Sequence, residues 1–364
     1  MEKIMVLAND ADGLYLFRGM LLEALVNKGY EVIASVPNDD RVPDLEAIGV
    51  KVIETSIDRR GINPLKDFRL IIRYLKLLRT IKPTLVITYT IKPNVYGGLA
   101  ARLKGIPYAV NITGLGTAFQ RRGLLRRFVT TMYKVGCKKA KVVFFENTDN
   151  CKLFIDEKIV NAPRTCLLNG AGVDLDYFQL MDYPDGSETR FLFIGRVMKE
   201  KGIDELFSAM KQLVVEGYNC SLDVVGPYED DYKHIIEQYQ REGWLRYHGF
   251  QKDVRPYIAK CHCSVLPSWH EGMANTNLES AASGRPVITS NIHGCLEAVE
   301  DSVSGFLVNK KDSADLYQVM KKFMELSHEE RERMGVSGSE RMKTFFDKKK
   351  VVLETIEHLQ MSVE

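Results

Sequence analysis

The chain has 364 residues, 45% of them hydrophobic and 27% charged, with a formal net charge of only +2. This is a globular composition with no low-complexity tract, long enough for two domains. The opening MEKIMVLAND meets charge too early for a signal peptide, and no run reaches about 18 apolar residues, so a secreted or membrane-spanning chain is not expected.

The charge is unevenly spread. Residues 1–170 carry 27 Lys and Arg against 16 Asp and Glu; the remainder carries 23 against 32. Two units with different electrostatic partners are implied. Seven scattered cysteines, an odd number, point to a reducing compartment, and Cys261-His262-Cys263 lacks a second pair at zinc spacing, so it reads as buried strand.

In chain order, the front half alternates short apolar strands with helices. Strands are expected at Ile4–Ala8, Glu31–Val36, Val50–Glu54, Leu85–Thr88, Tyr108–Ile112 and Val142–Phe145, with helices at about Leu14–Lys28 and Asp67–Thr80. Continuous apolar strands separated by helices indicate a doubly wound parallel sheet. Character changes near Asn169–Asp174, and Asp182–Thr189 reads as a linker or surface loop. The rhythm then restarts. Strands are expected at Arg190–Ile194, Cys220–Val225, Arg246–Gly249 and Ser264–Leu266, and helices at Ile203–Glu216, Asp231–Glu242, Asp253–Ala259 and, in the tail, Phe345–Leu359. The expected domains are residues 1–168 and 169–344, with the helix at about 345–364 packing back on the first.

The densest chemistry lies in SWHEGMANTNLESAASGRPVIT, Ser268 to Thr289. Helical spacing from Asn275 buries Leu278, Ala281 and Ala282, and Asn275 or Thr276 is expected to cap the helix, turning backbone N–H groups toward Glu271. A helix start flanked by Glu271 and Glu279 suits a ligand with both phosphate and hydroxyls, such as a nucleotide sugar. Upstream, one strand ends in Gly195-Arg196 with Lys201 five residues on, so Arg, Lys and backbone donors could converge on one diphosphate. Gly226 ends another strand, where its lack of a side chain would let a ligand approach. After His248-Gly249, Phe250 is a candidate nucleobase platform or a core aromatic. Lys92 and Asn94, and Thr113 and Gly114, follow front-half strands and could contact an acceptor.

The series FIGRVMKEKGIDEL, DVVGP, YHGF, VLPSWHEGMANTNLESAASGRPVI and GFLV resembles the carboxyl domain of retaining family-four glycosyltransferases of the GT-B fold, in which two Rossmann-like doubly wound domains face a cleft. Glu271 and Glu279 match that family's E-x7-E motif. TYTIKPNVYGGLAARLKGIPYAVNITGLGTAF is similar to bacterial enzymes that extend lipid-diphosphate-linked saccharides. The resemblance implies that Arg196 and Lys201 hold the donor diphosphate and stabilise the leaving group. It also implies that Glu279 binds ribose and that Glu271 meets the donor sugar's hydroxyls beside the N–H groups of Gly272, Met273 and Ala274. Arg196, Lys201 and Glu271 are therefore the expected catalytic residues. The family more often has Gly where Ala274 stands, which bears on donor choice. Gly13 resembles the family's glycine turn near the donor phosphate. UDP is the implied nucleotide, and an N-acetylhexosamine or hexose the implied sugar.

Many relatives carry a front-domain His, yet none occurs here before His234, and Thr113 takes its place. A front-face mechanism, with the leaving phosphate accepting the acceptor's proton, needs no such base; Asp10, Asp12 and Glu146 are possible helpers. Asp10-Ala11-Asp12 and Asp174-Leu175-Asp176 mimic a metal-binding D-x-D, but Arg196 and Lys201 supply the positive charge, so neither cofactor nor essential metal is expected. A hydrolase using both glutamates is conceivable, but its Arg/Lys site would be idle. A nucleotide-sugar 2-epimerase and a non-catalytic nucleotide-sugar-binding module are the competing function classes. Gln120–Phe128, with Arg121, Arg122, Arg126 and Arg127 among apolar residues, reads as a patch for an anionic membrane surface near a lipid-diphosphate acceptor. Nucleic-acid signatures are absent. The expected location is cytoplasmic, peripheral on the inner face of the cell membrane.

Overall fold

A computed structural model describes residues 1–58, 63–115, 119 and 123–359. The chain forms two compact units, one of Met1–Ala171 and the stretch from Lys348 on, the other of Gly172–Asp347. Each is a doubly wound, Rossmann-like α/β unit on an all-parallel sheet.

The first unit contains β1 (Lys3–Leu7), β2 (Glu31–Val36), β3 (Lys51–Glu54), β4 (Leu85–Tyr89), β5 (Tyr108–Ile112), β6 (Val142–Phe145) and β7 (Thr165–Leu167), in the order β3-β2-β1-β4-β5-β6-β7. Strand order reverses between β1 and β4. β4, β5 and β6 are buried along their whole length, as strands covered on both faces must be. On one face, Leu21, Leu22 and Leu25 of helix Ala11–Asn27 join Val351, Val352 and Ile356 of helix Lys348–His358 in a single core. On the other, Tyr74 and Leu78 of helix Pro64–Ile81 meet Tyr133 and Cys137 of helix Leu124–Cys137.

The second unit contains β8 (Thr189–Ile194), β9 (Cys220–Val225), β10 (Leu245–Gly249), β11 (Cys263–Leu266), β12 (Val287–Ser290) and β13 (Gly305–Val308), in the order β10-β9-β8-β11-β12-β13. Here the order reverses between β8 and β11. Helix Ile203–Val215 covers the sheet with Ile203, Leu206, Phe207, Met210 and Leu213, an i, i+3, i+4 stripe. Each such side chain contributes about 1.5–3 kcal/mol by leaving water.

Several boundaries differ from expectation for identifiable reasons. The first helix starts at Ala11 instead of Leu14, because the Asp10 carboxylate caps it by accepting from the Gly13 N–H at 2.6 Å. The expected tail helix is present but starts three residues later, at Lys348. Phe345 closes helix His328–Phe345, Phe346 takes the Val173 N–H on its carbonyl (2.7 Å), and a new helix begins at Lys348. Asp182–Thr189 does not separate the units; Tyr183 within it is buried, and its hydroxyl donates to the His262 carbonyl. Cys261, His262 and Cys263 are buried, and all seven cysteines are free thiols.

Candidate active site

In an open parallel sheet, ligands bind beyond the carboxyl ends of the strands, where strand order reverses. In the second unit that point lies between β8, which leads into Gly195-Arg196, and β11, which leads into Pro267–Glu271. A glycine brings the two segments together. Lys199–Lys201 forms a 3-10 turn ended by Gly202 in the left-handed region (φ 73°). A Cβ there would lie 2.0 Å from the Pro267 carbonyl oxygen, so only glycine lets the turn press against the exit of β11.

Lys201 and Glu271 meet as a result. Lys201 Nζ donates to Glu271 Oε1 at 2.5 Å, and Ser268 Oγ donates to the same oxygen at 2.7 Å. The Trp269 N–H donates to the Glu200 carbonyl (3.0 Å), and its indole Nε1–H to Glu205 (3.1 Å). Lys311 Nζ caps the indole ring 4.1 Å from its centroid. Ser268, Trp269 and Glu200 are thus bracing groups that a motif reading passes over, since the segments they join lie some 60 or more residues apart in sequence.

The loop after Glu271 is clamped from the other side by Gly294 (φ 94°), where a Cβ would lie 2.7 Å from the Glu271 carbonyl oxygen. The Ala274 N–H donates to the Gly294 carbonyl at 2.6 Å. This corrects the expectation for Ala274: its N–H is spent inside the loop, and the residue is buried in the core. Met273 is likewise buried, whereas Gly272 is half-buried. Asn275 does not cap its helix; Ala274 occupies that position, with no side-chain cap on helix Asn275–Ala282. Asn275 Oδ1 is instead buried with no hydrogen-bond partner among the described residues. Within this helix the Asn277 amide donates to Thr289 Oγ1, which donates to the Leu266 carbonyl, fixing helix to sheet. Glu279 follows half-buried, one turn into the helix.

Toward the β10 edge, Arg196 is half exposed and lies 3.4 Å from Glu229. Gly226 (φ 143°) approaches protein instead of leaving room for a ligand: a Cβ there would lie 1.9 Å from the Gly195 carbonyl oxygen. The Gly195 N–H donates to Val225, and that of Gly226 to Gly249, so three strand ends are tied together. β10 slips register between Tyr247 and Gly249. Beyond it Phe250 is 60% exposed, which excludes a core role. Phe250, Gly226, Arg196 and Glu271 therefore follow neighbouring strands along one sheet edge.

The first unit's candidates behave differently. Gly13 lies inside the first helical turn with its N–H on Asp10, so it is not a loop glycine. Asp12 pairs with Arg41 (3.1 Å). Glu146 is buried against Arg18, and burial raises its carboxyl pKa while Arg18 opposes the shift. Asn94 is 1% exposed, accepting from Thr88 Oγ1 and donating to the Asn111 carbonyl, which makes it a brace between β4 and β5. Lys92 is held by Asp67 at 2.9 Å. Thr113 and Gly114 are half-buried at the end of β5. Asp174 accepts from the N–H groups of Asp176 and Tyr177.

Of the basic patch, Arg121 and Arg122 lie outside the described residues. Arg126 pairs with Glu157 at 3.0 Å, while Arg127 is exposed among exposed Leu124, Leu125 and Phe128. Helix Pro64–Ile81, on the same face of the sheet, exposes Leu65, Phe68 and Ile72 among Lys66, Arg69 and Arg73. This second apolar stripe is hidden in the sequence, because the helix also carries a core-facing stripe of its own. Among the described residues no helix is long and apolar enough to cross a membrane.

Two family models match the chain in tandem and between them span most of it: Glycosyl transferase 4-like over residues 3–147, and Glycosyl transferases group 1 over residues 184–341. The chain carries the two domains of a glycosyltransferase, a 4-like domain followed by a group 1 domain. Its curated relatives include the Campylobacter jejuni N,N'-diacetylbacillosaminyl-diphospho-undecaprenol alpha-1,3-N-acetylgalactosaminyltransferase, 25% identical over 89% of each chain. Another is the Escherichia coli UDP-Gal:alpha-D-GlcNAc-diphosphoundecaprenol alpha-1,3-galactosyltransferase, 28% identical over 70% of this glycosyltransferase and 69% of that one. Among solved structures, Anabaena HepE in complex with UDP and glucose superposes with a TM-score of 0.81 at 16% identity, covering 99% of this chain and 100% of that one. Sucrose-phosphate synthase from Thermosynechococcus elongatus gives 0.80 at 18%, covering 99% and 98%. These likenesses establish the GT-B fold of the glycosyltransferase.

Proposed function

We propose that this glycosyltransferase moves a hexose or N-acetylhexosamine, with retention of configuration, from a UDP-sugar to an undecaprenyl-diphosphate-linked saccharide in surface polysaccharide or glycan assembly. The observation that carries the reading is the Lys201–Glu271 pair at the reversal point between β8 and β11, with Arg196 following the same strand, β8, that precedes Lys201. Two cations there suit a diphosphate, and two carboxylates suit hydroxyls. The acceptor class is supported by the activities of the Campylobacter and Escherichia relatives, and the nucleotide by the latter's UDP-Gal.

In this reading Arg196 and Lys201 grip the diphosphate and stabilise the charge that grows on it as the glycosidic C–O bond breaks. Glu271 accepts hydrogen bonds from donor-sugar hydroxyls, Glu279 accepts from the ribose diol, and Phe250 stacks on the base. The acceptor hydroxyl attacks the same face that the diphosphate leaves, and its proton passes to the departing phosphate oxygen. No imidazole base and no metal is required, since the cationic pair supplies the positive charge. The acceptor is bound by the first unit through Thr113 and Gly114. Exposed apolar and basic residues on helices Pro64–Ile81 and Leu124–Cys137 favour seating on the anionic inner face of the membrane, where a lipid-linked acceptor resides.

Incubation of the full chain with a panel of nucleotide sugars, with and without undecaprenyl-diphosphate-linked saccharide, tests the reading. Nucleoside diphosphate release only with acceptor, with an α-linked product from an α-linked donor, is expected. A sugar isomer formed without release would identify an epimerase, and binding without turnover a silent module. Either would overturn the reading.

A further inference from the structure

The first unit gathers a second set of reactive side chains at its β7 edge, none of which the transfer reaction uses. Cys166 on β7 is the register partner of Phe144 on β6. Neighbouring partners in a parallel ladder project from the same face, and that face is covered by helix Lys348–His358. Val351, Val352 and Ile356 bury themselves beside Phe144 and Cys166. Glu354 and His358, four residues apart, lie on one side of the same helix. The His358 ring meets the Phe144 ring edge-on at 6.4 Å. As a result Cys166 Sγ, a carboxylate oxygen of Glu354 and a ring nitrogen of His358 all lie within 4.8 Å of one another.

We propose that Cys166, Glu354 and His358 form a zinc site that fastens the closing helix to the edge strand of the first unit. The donor set is what selects the ion. A thiolate with an imidazole and a carboxylate suits Zn²⁺ or Co²⁺, whereas Mg²⁺ and Ca²⁺ want oxygen ligands throughout. A tetrahedral zinc shell spaces its ligand atoms about 3.5 Å apart. Closing from 4.8 Å asks for small rotamer shifts, which the exposed His358 and half-buried Glu354 can make. Cys166 is buried and stays in place, presenting its sulfur from the sheet. On binding, the Cys166 S–H bond breaks, the proton leaves to solvent, a sulfur–zinc bond forms, and water completes the shell. The site is structural and separate from the strand-end site of sugar transfer.

Cobalt substitution of the chelator-treated full chain reads this directly. A stoichiometric rise of thiolate-to-cobalt charge transfer in the near ultraviolet, with tetrahedral d–d bands in the visible, is expected. Cys166→Ser abolishes the charge-transfer band, whereas Cys151→Ser, at a half-buried thiol of helix Thr148–Asp156, keeps it. Zinc at about a hundredfold excess over its dissociation constant raises the melting temperature of the wild type by about 5 °C or more, and that shift is lost in His358→Ala. Because His358 is exposed, that variant folds even where Cys166→Ser does not. No charge-transfer band, a band that survives Cys166→Ser, or an undiminished zinc shift in His358→Ala would each overturn the site.

Discussion

Lys201 Nζ and Glu271 Oε1, seventy residues apart in sequence, form a 2.5 Å ion pair at the point where β8 and β11 part. Their side chains are only 21% and 12% exposed, so each charge relies on the other more than on water. In the proposed reaction the donor divides the pair: its diphosphate takes Lys201, and its sugar hydroxyls take Glu271. Lys201→Ala removes the cation facing the leaving group and should lower kcat by about 10²–10³-fold, the usual loss for one such group. Lys201→Arg should restore only part, because a planar fork does not replace a compact ammonium. Steady-state kinetics with the fold checked by circular dichroism tests this, and near-normal turnover in Lys201→Ala would count against the assignment.

Phe250 is a large aromatic left 60% exposed at the end of β10, beside strand ends tied by Gly226 and Gly249. Stacking of a base on an aromatic ring contributes about 1–3 kcal/mol. Phe250→Ala should therefore raise KM for the nucleotide sugar about tenfold and leave kcat little changed, while Phe250→Tyr stays close to wild type. Donor titrations at saturating acceptor separate the two parameters, and an unchanged KM would remove Phe250 from the base site.

Arg285 is fully buried, and its guanidinium donates to the carbonyls of Ile258, Ala259, Met181, Asp182, Ser283 and Gly284. It joins the end of helix Arg255–Lys260, the segment after Leu180 and the turn before β12. Arg285→Ala leaves several buried acceptors unpaired, each costing about 1–3 kcal/mol, so a loss of about 3 kcal/mol or more is expected in urea unfolding. A loss below about 1 kcal/mol would mean that water readily replaces the guanidinium.

His262 provides a pH test of the second unit. Burial pushes its imidazole down to about 4 from an ordinary 6.5, and Nδ1 accepts from the Arg190 N–H at 3.0 Å, which requires the neutral ring. Between those two pH values the unfolded chain takes up a proton that the folded chain refuses, so stability falls as pH drops from 6.5 toward 4. Melting temperature should decline less steeply over that window in His262→Gln than in the wild type. Equal slopes would contradict the burial account.

The sequence is legible where a local pattern carries the information. Apolar runs such as Leu85–Thr88 and Tyr108–Ile112 locate strands, and the segments carrying Lys201 and Glu271, read as parts of one site, do meet at the strand ends. Partners distant in sequence are not legible. Nothing near Lys92 announces Asp67, and nothing near Asn94 announces the Asn111 carbonyl, so two braces, one half-buried and one buried, resemble acceptor ligands. Gly226 suggests room for a ligand because its true neighbour, the Gly195 carbonyl, comes from another strand. Asn275 has good capping chemistry, but the clamp between Ala274 and Gly294 starts the helix one residue earlier in register and leaves its side-chain oxygen unpaired among the described residues. β7 is only three residues long and carries too short a pattern to stand out.

The most direct test of the account is UDP release from a UDP-sugar, followed with and without an undecaprenyl-diphosphate-linked saccharide, for the wild type beside Glu279→Ala. The account predicts acceptor-dependent release by the wild type and a KM for the donor at least about tenfold higher in the variant, the loss of a charged hydrogen bond to ribose. Release that ignores the acceptor, or a variant with an unchanged KM, would contradict it.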